Sequence, residues 1–157
     1  MTIPNTVRRC LEARATPFEV LAHPAAITAA QTAEAAHVSG DMVVKAVALK
    51  DRDSVLVALL PATHVLHVAD LGRVLRRELV LAEESDFEGL FPDCDTGAVP
   101  ALPLPYEVPT VVDECLFDAP RLFLESGSHR DLVALAGEDF RRLYANSPLL
   151  RLSGPRH

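Results

Sequence analysis

The clearest hydrophobic pattern in the chain is the run Asp41–Lys50, DMVVKAVALK. Its β-branched and small apolar residues predict a β-strand. Because successive strand side chains point to opposite faces, Lys45 shares a face with Val47 and Leu49. A lysine in such an apolar row either reaches solvent from an edge strand or faces a cleft that receives an anionic or carbonyl ligand.

Short apolar runs mark the other predicted elements. They place helices over residues 5–15, 28–37, 69–77, 83–90 and 138–144, and strands over 18–21, 55–60, 79–82, 109–112 and 122–125. The strand at 55–60 follows a tight turn and forms a hairpin with the strand that carries Lys45. Because strands and helices do not alternate strictly, the pattern favours a mixed α/β fold with a largely antiparallel sheet flanked by helices.

Two stretches carry signals for the start of a helix. Thr28 and Gln31 have the spacing of a capping box, and the helix that they begin is expected to end at Gly40. Ser128 and Asp131 have a similar spacing, which predicts a helical turn that begins there and carries residue 129.

Composition narrows the class of protein. The 157 residues suit a single domain, 1–157, with a core over about 5–144 and a tail after about 146. A hydrophobic content of 49% argues against disorder, and a net charge of −7 gives no global positive field for nucleic acid. Since the sequence has no signal-peptide pattern and no apolar run of about 18 residues, we expect a cytoplasmic protein without a membrane partner.

Metal-ligating residue types are scattered along the chain. The cysteines, Cys10, Cys94 and Cys115, are widely spaced and form no C-x-x-C pair. His64 and His67 lie three residues apart, but no third ligand lies near them in the sequence. We therefore expect no metal, no cofactor and no disulfide framework.

A loop and a turn are the candidates for a ligand site. Residues 93–105, DCDTGAVPALPLP, combine Gly97 with three prolines, so this stiff loop either walls a pocket or only connects two elements. The turn at 126–129 joins Gly127 to His129, which either lines a pocket or faces solvent. With Lys45 these stretches offer a cation, N–H donors and a shaped pocket, which suit a polarised carbonyl or a phosphate. The sequence has no nucleophile-elbow, P-loop or dinucleotide-binding motif.

The order of these motifs resembles the YbaK / prolyl-tRNA-synthetase-associated (INS-like) domain family. The resemblance rests on VVKAVALK at 43–50, the Gly-Ala-Val-Pro loop at 97–100, VPTVVDE at 108–114 and the Ser-Gly-Ser-His turn at 126–129. It spans about residues 5–144 and implies a barrel-like, largely antiparallel sheet flanked by helices. It also implies hydrolysis of the ester bond of mischarged aminoacyl-tRNA in trans and without a metal, often on tRNA(Pro) carrying alanine or cysteine.

The resemblance also implies roles for individual residues. Lys45 matches the family's functional lysine, which contacts the tRNA 3′ end or the substrate carbonyl. The substrate-binding residues that it implies are Gly97, Ala98, Val99, Pro100, Gly127, Ser128 and His129. Water, assisted by the terminal ribose hydroxyl, would attack the ester while Lys45 and loop N–H groups hold the substrate and its developing charge. The implied partners are the 3′ end of an aminoacyl-tRNA and an aminoacyl-tRNA synthetase.

One position departs from the family pattern. The proline of the family's G-x-x-x-P loop would fall at position 101, which is alanine here, and Pro100 stands one step earlier. Leu102-Pro103 also stands where many members have Phe-Gly. Three functions therefore stay open: an aminoacyl-tRNA deacylase, a non-catalytic module of the same fold that binds tRNA ends or protein, and a hydrolase of another small acyl ester.

Overall fold

A computed structural model describes residues 3–156. In this part of the chain the helices are α1 (Asn5–Ala13), α2 (Ala29–Ala36), α3 (Val68–Leu75), α4 (Glu84–Phe87) and α5 (Gly137–Leu143). The strands are β1 (Glu19–Ala22), β2 (Val43–Lys50), β3 (Val55–Pro61), β4 (His64–Leu66), β5 (Val80–Leu81), β6 (Thr110–Asp113), β7 (Arg121–Glu125), β8 (Asp131–Ala136), β9 (Leu149–Leu150) and β10 (Ser153–Pro155). None of these helices combines the length and the apolar character that a membrane crossing requires.

Eight strands form one mixed sheet. Seven of them follow the order β1-β8-β7-β2-β3-β6-β9, and β5 pairs with β2. The pairs β1-β8, β8-β7, β2-β3 and β2-β5 are antiparallel, whereas β7-β2, β3-β6 and β6-β9 are parallel. The predicted mixed α/β fold with a mostly antiparallel sheet flanked by helices is therefore confirmed.

The hairpin of β2 and β3 is the centre of the sheet. Its register runs from Lys50 opposite Val55 to Val44 opposite Pro61. Asp51 closes the turn, because its Oδ1 accepts hydrogen bonds from the main-chain N–H groups of residues 53 and 54. The predicted hairpin is confirmed, and it places Lys45 in the interior of the sheet and not on an edge strand.

Apolar side chains fill both faces of this sheet. On one face the core joins Leu11 of α1 to Phe140 and Leu143 of α5. On the other face Leu71 of α3 and Leu152 pack against β3. The alternation of β2 decides which residues go where: Val44 belongs to the first core and Leu49 to the second.

Two predicted helix boundaries need correction. The capping box of Thr28 and Gln31 is present, but α2 ends at Ala36. The next residue, His37, takes the left-handed conformation with φ 57° that we expected at Gly40. The helical turn expected at Ser128–Asp131 is a short turn that leads directly into β8. The apolar run DLVALA forms β8 and is buried on both faces of the sheet. A short continuous apolar run is typical of a strand in the interior of a sheet.

The expectation of a tail after residue 146 is wrong for the end of the described chain. Strand β9 pairs with β6, and β10 pairs with β4. Leu152 between them is 1% exposed. The segment therefore contributes to the core, and it returns the chain to the neighbourhood of Lys45.

Candidate functional site

A cavity of about 130 Å³ lies where the proline-rich loop meets the turn before β8. Six of the predicted substrate-binding residues line it: Gly97, Ala98, Val99, Gly127, Ser128 and His129. Pro100 is a buried residue of the loop and lies outside the lining. Lys45 on β2 is half-buried and also lies outside the lining. Residues that are remote in sequence thus meet around one small cavity.

Main-chain and side-chain hydrogen bonds fasten the loop to the turn. The N–H of Asp95 donates to the carbonyl of Gly127 at 2.8 Å, and the N–H of Ala101 donates to the carbonyl of Glu125 at 2.7 Å. The N–H of His129 donates to Oδ2 of Asp95 at 2.8 Å, and its Nε2 lies 3.1 Å from the carbonyl oxygen of Thr96. His129 therefore both lines the cavity and holds the loop in place.

Glycine is required at two places in this wall. Gly97 and Gly127 have φ values of 79° and 94°, which residues with a side chain rarely adopt. A Cβ on Gly127 would also lie 2.5 Å from Sγ of Cys94. The absence of a side chain at Gly127 therefore lets Cys94 pack closely against the main chain of a residue that also lines the cavity.

Three main-chain N–H groups of the wall have no hydrogen-bond acceptor within the described part of the chain. Within residues 3–156, the N–H groups of Gly97, Val99 and Gly127 donate to no protein acceptor. Donors fixed in this way need no rearrangement when negative charge develops near them.

Glu125, at the end of β7, is the acidic group of the cavity that sequence reasoning missed. Its Oε1 accepts a hydrogen bond from the N–H of Ala46 at 2.9 Å. Burial raises the pKa of this carboxyl to about 7, against the lowering effects of the Ala46 N–H and the positive charge of Lys45. Near neutral pH the cavity therefore holds a group that exchanges a proton.

Lys45 lies next to Glu125 but points its ammonium elsewhere. The parallel register of β2 and β7 pairs Val44 with Leu124, so the following position sets Lys45 beside Glu125. The lysine Nζ donates to the main-chain carbonyl of His64 at 2.6 Å. Burial and the nearby charge of Arg156 lower the pKa of Lys45, and Glu125 opposes this effect.

The departure from the family pattern at position 101 lies in the core. Ala101 is fully buried, and its carbonyl accepts a hydrogen bond from the hydroxyl of Tyr144 at 2.8 Å. It is outside the lining of the cavity, as is Leu102. These two residues therefore anchor the loop in the hydrophobic core and do not contact the cavity.

Further residues complete the cavity. Asp131 is a buried carboxylate of the lining, and its Oδ2 accepts a hydrogen bond from the hydroxyl of Ser128 at 3.1 Å. Ile27 stands at the rim with 74% of its surface exposed. The rest of the lining that we did not predict is Ala26, Thr32, Ala46 and Leu132. An acidic residue just before a Ser-Gly-Ser turn was the available signal for Glu125.

A family model described as an aminoacyl-tRNA editing domain matches residues 23–143. No curated protein matches the sequence. Among solved structures, a candidate trans-editing enzyme for prolyl tRNA synthetase aligns with a TM-score of 0.76 and 20% identity over 98% of this chain and 99% of its own. A hypothetical protein aligns with a TM-score of 0.82 and 20% identity over 96% of this chain and 100% of its own.

The same fold is also found within a larger protein. A candidate signal transduction protein from Marinobacter aquaeolei VT8 aligns with a TM-score of 0.75 and 21% identity. The alignment covers 96% of this chain but 31% of that protein. At these identities the likenesses establish the fold.

Proposed function

Because this chain belongs to the aminoacyl-tRNA editing domain family, we propose that it hydrolyses the ester bond of a mischarged aminoacyl-tRNA in trans. The observation that carries the proposal is one small cavity whose lining joins loop and turn residues with unpaired main-chain N–H groups to the carboxyl of Glu125. It is suited to an amino acid esterified to a tRNA 3′ end, which presents a carbonyl, an ammonium group and a small side chain.

The loop would act on the carbonyl of the ester. Attack by water turns this carbonyl into a tetrahedral oxyanion, and the N–H groups of Gly97, Val99 and Gly127 are available to stabilise it. Its collapse breaks the bond between the acyl carbon and the ribose oxygen, which takes up the proton that the water gives up, so that the free amino acid and the uncharged tRNA are released. The terminal ribose hydroxyl of the tRNA assists the water. Loss of one such donor typically slows acyl transfer by about 10²–10³-fold.

Glu125 would receive the α-ammonium group of the amino acid. Its carboxylate lies on the cavity wall, and Asp131 adds a second negative charge nearby. A bound ammonium favours the ionised form of Glu125, as any close positive charge does. The amino acid is then oriented with its carbonyl towards the loop.

Lys45 would influence the same site from β2, the strand that pairs with the strand of Glu125. Its positive charge opposes protonation of Glu125. Together with Arg156, whose charge also acts on Lys45, it offers a local positive field to the phosphates of the tRNA 3′ end. We therefore assign Lys45 to positioning of the carboxylate and of the tRNA end.

Size would set the specificity. A cavity of about 130 Å³ favours small amino acids such as alanine, cysteine or serine. Exclusion of a larger side chain is efficient, whereas one methylene changes the rate only about 10–200-fold. We propose tRNA(Pro) as the carrier, with a prolyl-tRNA synthetase as the partner whose errors are removed. A candidate trans-editing enzyme for that synthetase shares the fold.

One observation favours a second candidate function, a non-catalytic module that binds tRNA ends. The ammonium of Lys45 is bound to the carbonyl of His64, outside the cavity lining. A lysine held in this way suits contact with a phosphate at the mouth of the site as well as it suits catalysis.

The two lysines of the chain provide a matched test. Lys50 lies on the same strand but forms an ion pair with Asp86 at 2.8 Å. We expect Lys45→Ala to slow deacylation of a small-amino-acid tRNA about 100-fold, and Lys50→Ala to leave it within about twofold. A binding module would show no turnover in any variant while Lys45→Ala alone weakens binding of the tRNA end, and that result would overturn the deacylase proposal.

A further inference from the structure

A second cluster of reactive side chains lies where the start of β4 meets the end of β6. His64, Asp113 and Cys115 each offer one potential ligand atom, and these atoms all lie within 4.8 Å of one another. His64 begins β4, Asp113 ends β6, and Cys115 follows in the short 3-10 turn Glu114–Asp118. The chain brings them together across about 50 residues, so sequence spacing gave no sign of the third ligand that His64 lacked.

Asp113 is a buried carboxylate without a charged partner. It is 2% exposed, and no basic group in residues 3–156 lies within 4.0 Å of its oxygens. Its oxygens accept hydrogen bonds from the N–H of Cys115 at 3.0 Å and from the hydroxyl of Ser153. An ionised carboxylate in such a place costs free energy unless a cation compensates it.

The cluster opens onto its own cavity, distinct from that of Glu125. This cavity has a volume of about 740 Å³, and its wall includes His67, Asp70 and Asp118 beside the three clustered residues. Arg151 is the basic residue of the same wall. An ion can therefore reach the cluster, and a further ligand or water has room beside it.

We propose that His64, Asp113 and Cys115 bind a divalent transition metal of the zinc type. Imidazole nitrogen, thiolate sulfur and carboxylate oxygen are the ligands that Zn²⁺ takes in proteins, whereas Mg²⁺ and Ca²⁺ prefer oxygen alone. Three protein ligands with an open cavity leave a fourth position for water or a small ligand. The site lies outside the cavity of Glu125, and it touches the proposed deacylation site through His64, whose main-chain carbonyl accepts a hydrogen bond from Lys45.

Metal binding would rearrange the hydrogen bonds of Ser153. At present its hydroxyl lies 2.9 Å from Nδ1 of His64 and donates to Asp113. Freed from the ligands, the hydroxyl can orient one of them from the outer shell, as is usual around bound metals. The metal would tie β4 to β6 directly, where a serine of β10 now bridges them.

Titration of the reduced, chelator-treated full chain with Co²⁺ alone and with Zn²⁺ alone tests the site. We expect one ion per chain and a cobalt–thiolate charge-transfer absorption. Cys115→Ser abolishes that absorption, and His64→Gln weakens binding by at least about tenfold. The matched controls Cys10→Ser and His37→Gln leave both unchanged. Zn²⁺ raises the Tm because it binds the folded chain in preference to the unfolded one.

A measurement on the wild-type chain keeps the test independent of whether a variant folds. Zn²⁺ is expected to protect Cys115 from alkylation, as mapped by mass spectrometry, while Cys10 and Cys94 keep their rates. Absence of stoichiometric binding overturns the metal site, as does equal protection of all three cysteines. A cobalt spectrum that survives Cys115→Ser also overturns it, and the cluster would then be only a hydrogen-bonded link between β4, β6 and β10.

Discussion

At the scale of single residues, the proposed mechanism depends most on the carboxyl of Glu125. It is held by the N–H of Ala46, sits beside Lys45 and has a pKa raised to about 7 by burial. The place of Lys45 on β2 and the glycine-containing wall of the cavity could be predicted from the sequence, because strand alternation and glycine conformation are local properties. The sequence shows Glu125 only as an acidic residue before a Ser-Gly-Ser turn. Its position beside Lys45 could not be predicted, because it depends on a parallel pairing of strands that lie about 80 residues apart.

The raised pKa of Glu125 makes stability depend on pH. Since the folded chain holds this proton more tightly than the unfolded chain, Glu125 favours folding most below its unfolded pKa near 4.5, and the contribution is lost as the pH rises through about 7. We expect Glu125→Gln to increase the free energy of unfolding at pH 8, relative to wild type, by on the order of 2–3 kcal/mol, with little difference at pH 4. Urea unfolding of both proteins at the two pH values measures this.

The same variant separates stability from function. Wild-type deacylation, corrected for spontaneous ester hydrolysis, should rise as the pH passes about 7, and Glu125→Gln should lose both this rise and most of the rate. A variant that is more stable at pH 8 yet equally active would show that the carboxylate has no part in binding the ammonium group.

At the scale of elements, the C-terminal strands carry more of the fold than the sequence suggested. The capping box of α2, the β2–β3 hairpin and α5 could be predicted, because each has a local signal. Strands β8, β9 and β10 could not. The polar spacing of Ser128 and Asp131 imitated a helix start, and β9 and β10 are too short to show a period. Their stability comes from pairing with β4 and β6 and from one buried leucine.

Two leucines of this segment give a matched pair. Leu152 is 1% exposed in the second core, whereas Leu149 is 41% exposed. We expect Leu152→Ala to lower the free energy of unfolding by about 2–4 kcal/mol because it leaves a cavity, and Leu149→Ala to lower it by less than about 1 kcal/mol. Equal effects in chemical denaturation would mean that the segment does not pack as described.

At the scale of the whole molecule, the net charge of −7 limits how the chain can hold a tRNA. Binding has to come from a local region. Lys45 is a basic group near Glu125, and the charge of Arg156 acts on Lys45. The exposed Arg130 follows His129 of the cavity wall in the sequence. Binding of the tRNA 3′ end alone requires contacts to only a few phosphates. In the proposed function, the net negative charge disfavours a broad contact with the rest of the tRNA, which the proposed partner synthetase would hold.

The salt dependence of binding measures how many phosphates of the tRNA 3′ end the chain contacts. For two or three contacts to a single-stranded end, we expect the logarithm of the binding constant to fall with the logarithm of salt concentration with a slope of about −1.4 to −2.1. Fluorescence anisotropy with a labelled CCA-ended oligonucleotide gives the slope, and Arg156→Ala should reduce it by about one contact. A slope several times steeper would indicate a broad tRNA interface that the charge distribution does not provide.

The central claim is tested most directly by single-turnover deacylation of Ala-, Cys-, Ser- and Pro-tRNA(Pro) by the wild-type chain. We predict that at least one of the species carrying a small wrong amino acid is hydrolysed well above the spontaneous rate, while Pro-tRNA(Pro) is spared. Hydrolysis of none of the four at high enzyme concentration, or hydrolysis of all four at similar rates, would contradict a cavity that selects and cleaves a small mischarged amino acid.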